Sequence, residues 1–203
     1  MAKELVSFDK KHINGIPFKH GGCVYVFEED YWGLYKYCQG MNDYIEIGSR
    51  FGASAIIAGL AVNGEVHCIE PFGVKGNPHT KAGGSFVSEK NLRENWELFH
   101  DPDRLVVHAQ YHPPMPESIK GRRFDIGFVD GNHDYENVLA DLAGMAEIVD
   151  KYILAHDIYD GDKRERSVGG AYKEFLKTNQ EWEHIEYVGC VGVLKRRDYI
   201  DGI

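Results

Sequence analysis

The chain has 203 residues, four cysteines and a formal net charge of −9, with its acidic residues spread along the length. That length suits one domain with a substantial core. The charge has the wrong sign for a general nucleic-acid binder or for a protein drawn to anionic membranes. No stretch reaches the roughly 18 apolar residues of a membrane span, and residues 1–8 carry charges where a signal peptide would be apolar. The expectation is a cytoplasmic protein with no nucleic-acid or membrane partner. Cys23, Cys38, Cys68 and Cys190 lack Cys-x-x-Cys spacing and read as free thiols in a reducing compartment.

Residues 1–24 show no clear period, and Gly15, Pro17, Gly21 and Gly22 punctuate them. They read as an arm that covers an active site or a partner subunit. Glu28–Gln39 reads as a helix with acids at its start and Trp32, Tyr35 and Cys38 on one face. Tyr44–Ile47 is the first strand, and Ser54–Val62 the apolar helix after it. Between them lies Glu46-x-Gly48-x-x-x-Gly52. Gly48 permits a tight turn and Gly52 lets the helix pack close to the strand. The turn aims backbone N–H groups and a helix dipole at whatever lies above the strand. The spacing is neither the dinucleotide fingerprint Gly-x-Gly-x-x-Gly nor a P-loop.

Glu65–Ile69 is the second strand, closed by Glu70-Pro71. Glu70 follows Gly48 by 22 residues, the span of one βαβ unit. A carboxylate at that strand tip is placed to accept both hydroxyl hydrogens of a ribose. Phe72–Ser85 is a long glycine-rich loop and reads as a lid. Phe86–Phe99 reads as a helix with Phe86, Leu92, Trp96 and Phe99 inward, and Arg104–His108 as the third strand. A proline-rich stretch leads to the fourth strand, Phe124–Val129. Asp134–Val149 is a helix, Tyr152–Ala155 the fifth strand, Asp157–Ser167 a charged loop and Val168–Lys177 a helix. His184–Val188 and Cys190–Lys195, joined at Gly189, can only form an antiparallel hairpin. Alternation of this kind makes a doubly wound parallel sheet in a single domain.

Ligands in such sheets sit beyond the carboxyl ends of the strands. Glu46, Glu70, Asp130 and the pair His156-Asp157 stand at strand ends. If the fourth and fifth strands are neighbours, Asp130 and Asp157 meet on one rim with His133 a turn away, a set of groups suited to a divalent metal. The other histidines are scattered without ligand spacing and read as structural or surface residues. His112, just beyond the third strand, is the exception to watch.

Several of these segments together resemble one family. They are Glu46-x-Gly48-x-x-x-Gly52, Glu70-Pro71, Phe124-Asp125-x-x-Phe128-Val129-Asp130-Gly131-Asn132-His133-x-Tyr135-Glu136, His156-Asp157 and Gly192-Val193-Leu194. The resemblance is to class I S-adenosylmethionine-dependent methyltransferases with an Asp-Gly-Asp/Asn-His-x-Tyr signature. That group includes the metal-dependent macrocin-type sugar O-methyltransferases and the related cephalosporin hydroxylase-like proteins. The resemblance covers residues 43–195 as the cofactor-binding core, with 1–42 as an N-terminal arm and helix and 196–203 as a tail. It implies an α/β fold of seven strands with the last antiparallel.

Carried over by position, it implies Gly48, Ser49 and Gly52 beside the methionine part of S-adenosylmethionine, Glu46 at the floor, and Glu70 with Pro71 at the ribose. Ala109 or Gln110 would lie by the adenine. Asp130 would serve cofactor, metal and catalysis together, Asp157 and His156 would complete a Mg²⁺ or Mn²⁺ site, and His133 would be the base. The implied reaction is O-methylation of a small hydroxylated acceptor such as a sugar or secondary metabolite. Alternatives are a hydroxylase-like activity on the same fold or a non-catalytic module that binds the cofactor. A homodimer is compatible with the arm and the many aromatic residues.

His156 departs from the pattern, since an acid is expected there and imidazole is a poor ligand for Mg²⁺. Three outcomes are compatible with that change: a different metal, a His156 that points elsewhere while the two aspartates suffice, or a lost metal site. No Pro-Gly-Gly precedes the fifth strand, where Val149-Asp150-Lys151 stands instead. That departure is structural and does not touch the site.

Overall fold

The computed structural model describes residues 6–9, 11–21, 28–72, 81–82, 85–158 and 167–200. A two-stranded hairpin, β1 (His12–Ile13) and β2 (Ile16–Pro17), precedes α1 (Glu28–Cys38). Then come β3 (Tyr44–Ile47), α2 (Ala53–Gly59) and β4 (Val66–Ile69). A second small hairpin, β5 (Lys81–Ala82) and β6 (Ser85–Phe86), leads to α3 (Glu89–Trp96) and β7 (Leu105–His108). The chain continues through β8 (Phe124–Val129), α4 (Tyr135–Ile148), β9 (Val149–Ala155), α5 (Val168–Thr178), β10 (Trp182–Val188) and β11 (Val191–Arg196).

Seven strands form one sheet in the order β10-β11-β9-β8-β3-β4-β7. The pairs β7–β4, β4–β3, β3–β8 and β8–β9 are parallel, and β11 runs antiparallel to both β9 and β10. The seven-stranded sheet with its last strand antiparallel is therefore as the sequence implies. Alternate residues of β3 divide the interior. Tyr44 faces a core with Leu34, Ile56 and Trp96; Ile45 and Ile47 face a second core with Leu142, Met145 and Phe175. Both faces of the central strands are buried, which is why those strands read as continuous apolar runs.

Three local expectations are corrected. The buried face of α1 is Tyr31, Leu34 and Cys38, while Trp32 is 37% exposed and packs against Phe8 with the two rings tilted; the helix is turned by one residue because Asp30 and Tyr31 take the inward positions. The helix read over Phe86–Phe99 begins only at Glu89, where the Ser88 hydroxyl accepts the Asn91 N–H as an N-cap; Phe86 belongs to β6. The fifth strand starts at Val149, directly after α4, because Val149 pairs with Phe124 of β8. Tertiary pairing overrides the local helical pattern there.

The arm rests on α3. His20 N–H donates to Asn95 Oδ1 at 2.9 Å, and Asn95 Nδ2 donates to the His20 and Phe51 carbonyls. Lys19 and His20 both reach Glu94. Asn95 thus ties the arm to the turn after β3. Cys38, Cys68 and Cys190 are buried and unbridged, whereas Cys23, most of the loop expected to be a lid (73–80 and 83–84) and residues 159–166 of the charged loop lie outside the described residues. Among the described residues no helix is long and apolar enough to cross a membrane.

Candidate active site

A cavity of about 820 Å³ opens at the carboxyl ends of β3, β4, β7, β8 and β9. The turn after β3 forms one wall. Gly48 and Gly52 sit at φ 96 and 86, and Arg50 between them is also left-handed at φ 46. A Cβ on Gly48 would run into the Asp130 carbonyl, so only glycine lets this turn approach the one after β8. Beyond the turn, the Cβ of any residue replacing Gly52 would press on Leu92 of α3. Glu70 is buried at the tip of β4, where one carboxylate oxygen accepts the Arg50 N–H at 3.0 Å. Burial raises its pKa, and that hydrogen bond works against the rise.

Gly48, Glu70, Pro71, Gln110, Asp130, His133, His156 and Asp157 all line the cavity. Glu46, Ser49, Gly52 and Ala109 are not among its lining residues. Glu46 is fully buried beneath the turn, accepting the Tyr44 hydroxyl at 2.7 Å and the Cys68 thiol at 3.5 Å. Burial pushes its pKa up. Its place is under the wall, where it braces the turn from below.

The second wall is an acid–imidazole cluster. Asp130 leaves the end of β8 and His156-Asp157 the end of β9, and these strands are sheet neighbours. Asp157 takes a left-handed φ of 56, which an aspartate tolerates better than most residues, and this turns its carboxylate back toward Asp130. His156 Nδ1 lies 3.4 Å from Asp130 Oδ1 and 3.5 Å from Asp157 Oδ1. It is buried and makes no hydrogen bond among the described residues. One donor atom from each of Asp130, His156 and Asp157 falls within 4.8 Å of the others. His133 caps the group at the mouth, 54% exposed, with Nε2 3.5 Å from Asp130 Oδ1 and Nδ1 3.3 Å from Asp157 Oδ2.

Electrostatics follow from this crowding. Burial opposes the charged Asp130, but His133 and His156 outweigh it and hold its pKa below the usual value. His156 holds Asp157 down in the same way. Asp130 raises His133. Burial acts against the charged form of His156, yet its three carboxylate neighbours win and raise it strongly.

Two further pairs escaped sequence reasoning. His112 does line the cavity, and its Nδ1 is 2.6 Å from Asp141 Oδ1, both side chains being buried. Asp141 sits on the apolar stripe of α4, and a Cβ on Gly131 would crowd its other oxygen. The second is Asp30 of α1, which is 1% exposed and lies 3.3 Å from His156 Nε2. One of three acids in a helical first turn gives no local sign of a partner 126 residues away.

No curated protein matches the chain. Its fold is similar to those of many solved structures. One is an O-methyltransferase from Bacillus cereus in complex with SAH, at 20% identity over 84% of this chain and 81% of that one, with a TM-score of 0.60. Another is the O-methyltransferase TomG from Streptomyces achromogenes in complex with SAM, at 16% identity, 84% and 80% coverage and a TM-score of 0.58. A third, the N-methyltransferase NodS from Bradyrhizobium japonicum WM9 in complex with S-adenosyl-L-homocysteine, has 10% identity, 84% and 87% coverage and a TM-score of 0.61. The sheet order and the glycine turn facing the cavity agree with a match of residues 45–158, more than half of the chain, to the family model for the methyltransferase domain, and the chain belongs to that family.

Proposed function

We propose that the protein transfers the methyl group of S-adenosylmethionine to a hydroxyl of a small acceptor, a sugar or secondary metabolite, with help from a divalent metal ion. The observation that carries this reading is the convergence of Asp130, Asp157 and His156 Nδ1, which makes no hydrogen bond among the described residues, on the cavity that the Gly48 turn and Glu70 also face.

The residues present suit the cofactor. Gly48 keeps the wall free of a side chain, the turn offers backbone N–H groups, and Glu70 presents a carboxylate already oriented by Arg50. Gln110 spends its amide nitrogen on the Pro114 carbonyl at 2.9 Å, which orients its amide oxygen as an acceptor for an exocyclic amine. S-adenosylmethionine, when bound, supplies the electrophilic methyl group. The protein's task is then to orient the acceptor oxygen and take its proton.

The donor set also suits a divalent ion: two carboxylate oxygens and one imidazole nitrogen, buried on one side and open to the cavity on the other. Asp130, Asp157 and His156 would hold such an ion, which would lower the acceptor hydroxyl's pKa and fix its direction. His133 stands at the mouth within reach of the same space and accepts the proton. Asp130 keeps His133 in place and raises its basicity.

The test is release of S-adenosylhomocysteine from S-adenosylmethionine over a panel of sugars and phenols, with Mn²⁺, with Mg²⁺ and with EDTA. A metal-dependent product that Asp130→Ala abolishes while S-adenosylhomocysteine affinity holds is the expected result. Turnover that survives both EDTA and Asp130→Ala contradicts the metal role. Methylation confined to amines contradicts the acceptor class.

A further inference from the structure

We propose that Asp30 is the positioning residue of this centre: it holds the Nε2–H of His156, so that Nδ1 is presented as a nitrogen ligand between Asp130 and Asp157, and the centre thereby prefers Mn²⁺, Fe²⁺, Co²⁺ or Zn²⁺ over Mg²⁺. The inference rests on the metal part of the proposed function and deepens it.

Three elements far apart in sequence meet to make the contact. Asp30 comes from the first turn of α1, His156 from the end of β9, and the Gly189-Cys190 turn from the β10–β11 hairpin. The Cys190 N–H donates to Asp30 Oδ1 at 2.6 Å, and Asp30 Oδ2 is left facing His156 Nε2 at 3.3 Å. Gly189 is left-handed at φ 59, and a Cβ there would run into Asp30 Oδ1. The Ile158 N–H in turn donates to the Cys190 carbonyl at 2.8 Å, which ties the end of β9 to the same turn. Both oxygens of a nearly inaccessible carboxylate are thus committed.

The chemistry follows from which atoms can donate. A carboxylate only accepts, so it selects the imidazole form with hydrogen on Nε2. A cation would displace the Nδ1 proton of the charged ring, and the lone pair would then lie on Nδ1, the atom that is buried with no hydrogen bond among the described residues and is flanked by Asp130 and Asp157. Metal-binding histidines commonly hand their second N–H to a carboxylate in this way, and loss of the outer carboxylate costs about 10–100-fold in metal affinity. A nitrogen ligand suits the borderline transition metals and does little for Mg²⁺, which wants oxygen.

Asp30→Asn separates this role from a merely structural one. The asparagine oxygen still accepts from Cys190, so the hairpin anchor survives. Its NH₂ group now faces Nε2, which must become the acceptor and send the ring hydrogen to Nδ1. The experiment adds Mn²⁺ alone, then Mg²⁺ alone, to chelator-stripped protein by calorimetry. Electron spin-echo modulation of the Mn²⁺ samples reads directly bound ¹⁴N, and S-adenosylhomocysteine is titrated into the same preparations.

Wild type should bind Mn²⁺ at least about tenfold more tightly than Mg²⁺ and show one bound nitrogen. Asp30→Asn should lose that nitrogen signal and about 10–100-fold in Mn²⁺ affinity, while S-adenosylhomocysteine binds within about twofold. His156→Asp should shift the preference toward Mg²⁺. Mn²⁺ held by oxygen alone, equal affinity for the two ions, or an intact signal in Asp30→Asn overturns the proposal and leaves the methyltransferase reading standing. Absence of any Mn²⁺ binding overturns it together with the metal role, and S-adenosylhomocysteine binding reports separately on the cofactor. If Asp30→Asn does not fold, the wild-type spectrum, the wild-type ion preference and His156→Asp decide the matter.

Discussion

Two histidine clusters lie within one sheet and behave in opposite ways. On the rim, His156 is surrounded by the carboxylates of Asp30, Asp130 and Asp157. Toward the β7 edge, His67 and His108 stack on neighbouring strands with Nδ1 and Nε2 3.0 Å apart. Glu65 and Ser118 take the outer nitrogens of this second pair, and Arg122 stands nearby. His156 is driven toward its charged form. Burial, His67 and Arg122 drive His108 the other way, to a pKa of about 4. Both sites are buried, so burial does not distinguish them. The sign of the neighbours does. A buried imidazole among acids is equipped for ions and protons, whereas one facing another imidazole is held neutral as a packing element.

The sharpest way to break this comparison is to remove one histidine from each side. His133→Gln, at the rim, should lower kcat by about 10²–10⁴-fold and leave S-adenosylhomocysteine affinity unchanged. His67→Gln should leave kcat within about twofold and lower stability by about 1–3 kcal/mol, because His108 then loses a buried partner. Comparable kinetic losses in the two variants would erase the distinction.

A smaller effect appears in pH. The folded pKa of His108 is below its ordinary value, so as pH falls the unfolded chain takes up the proton first. The stability this neutral imidazole contributes is therefore fully present above about pH 6.5 and is lost as pH falls toward 4. His100, whose ring nitrogen contacts the Ile56 carbonyl, is also lowered to about 4 by burial and acts in the same direction. Urea melts between pH 7 and pH 4.5 should show falling stability with acid, and His108→Gln should flatten that slope. A slope unchanged by the substitution would assign the acid sensitivity to other groups.

Much of this was legible in the sequence because strand ends announce themselves. The apolar runs of β4, β8 and β9 stop at Glu70, Asp130 and His156, that of β3 is interrupted at Glu46, and parallel topology then brings those strand ends to one edge. Gly48 and Gly52 were legible because few other residues take φ 96 and 86. Glu46 shows the limit of that logic. It interrupts an apolar run, yet it lies inside β3 with Ile47 beyond it, and its side chain is buried against Tyr44 and Cys68.

Asp30 and Asp141 were hidden for a different reason. Each stands in a helix where its local pattern has an ordinary explanation, a first-turn acid and a polar break in an apolar stripe. Their partners, His156 and His112, are fixed only by the tertiary fold. The start of β9 at Val149 has the same origin, since pairing with Phe124 decides it and the local sequence reads helical.

The central claim is that the cavity beside Gly48 and Glu70 binds S-adenosylmethionine, and calorimetric titration with S-adenosylhomocysteine tests it most directly. Glu70 stands after β4 at the cavity, and Glu65 stands before β4 on the opposite edge. Wild type should bind in the micromolar range. Glu70→Gln should weaken binding about tenfold or more through loss of charge-assisted hydrogen bonds, and Glu65→Gln should bind as wild type. Absence of binding to wild type, or equal losses in the two variants, would contradict the account.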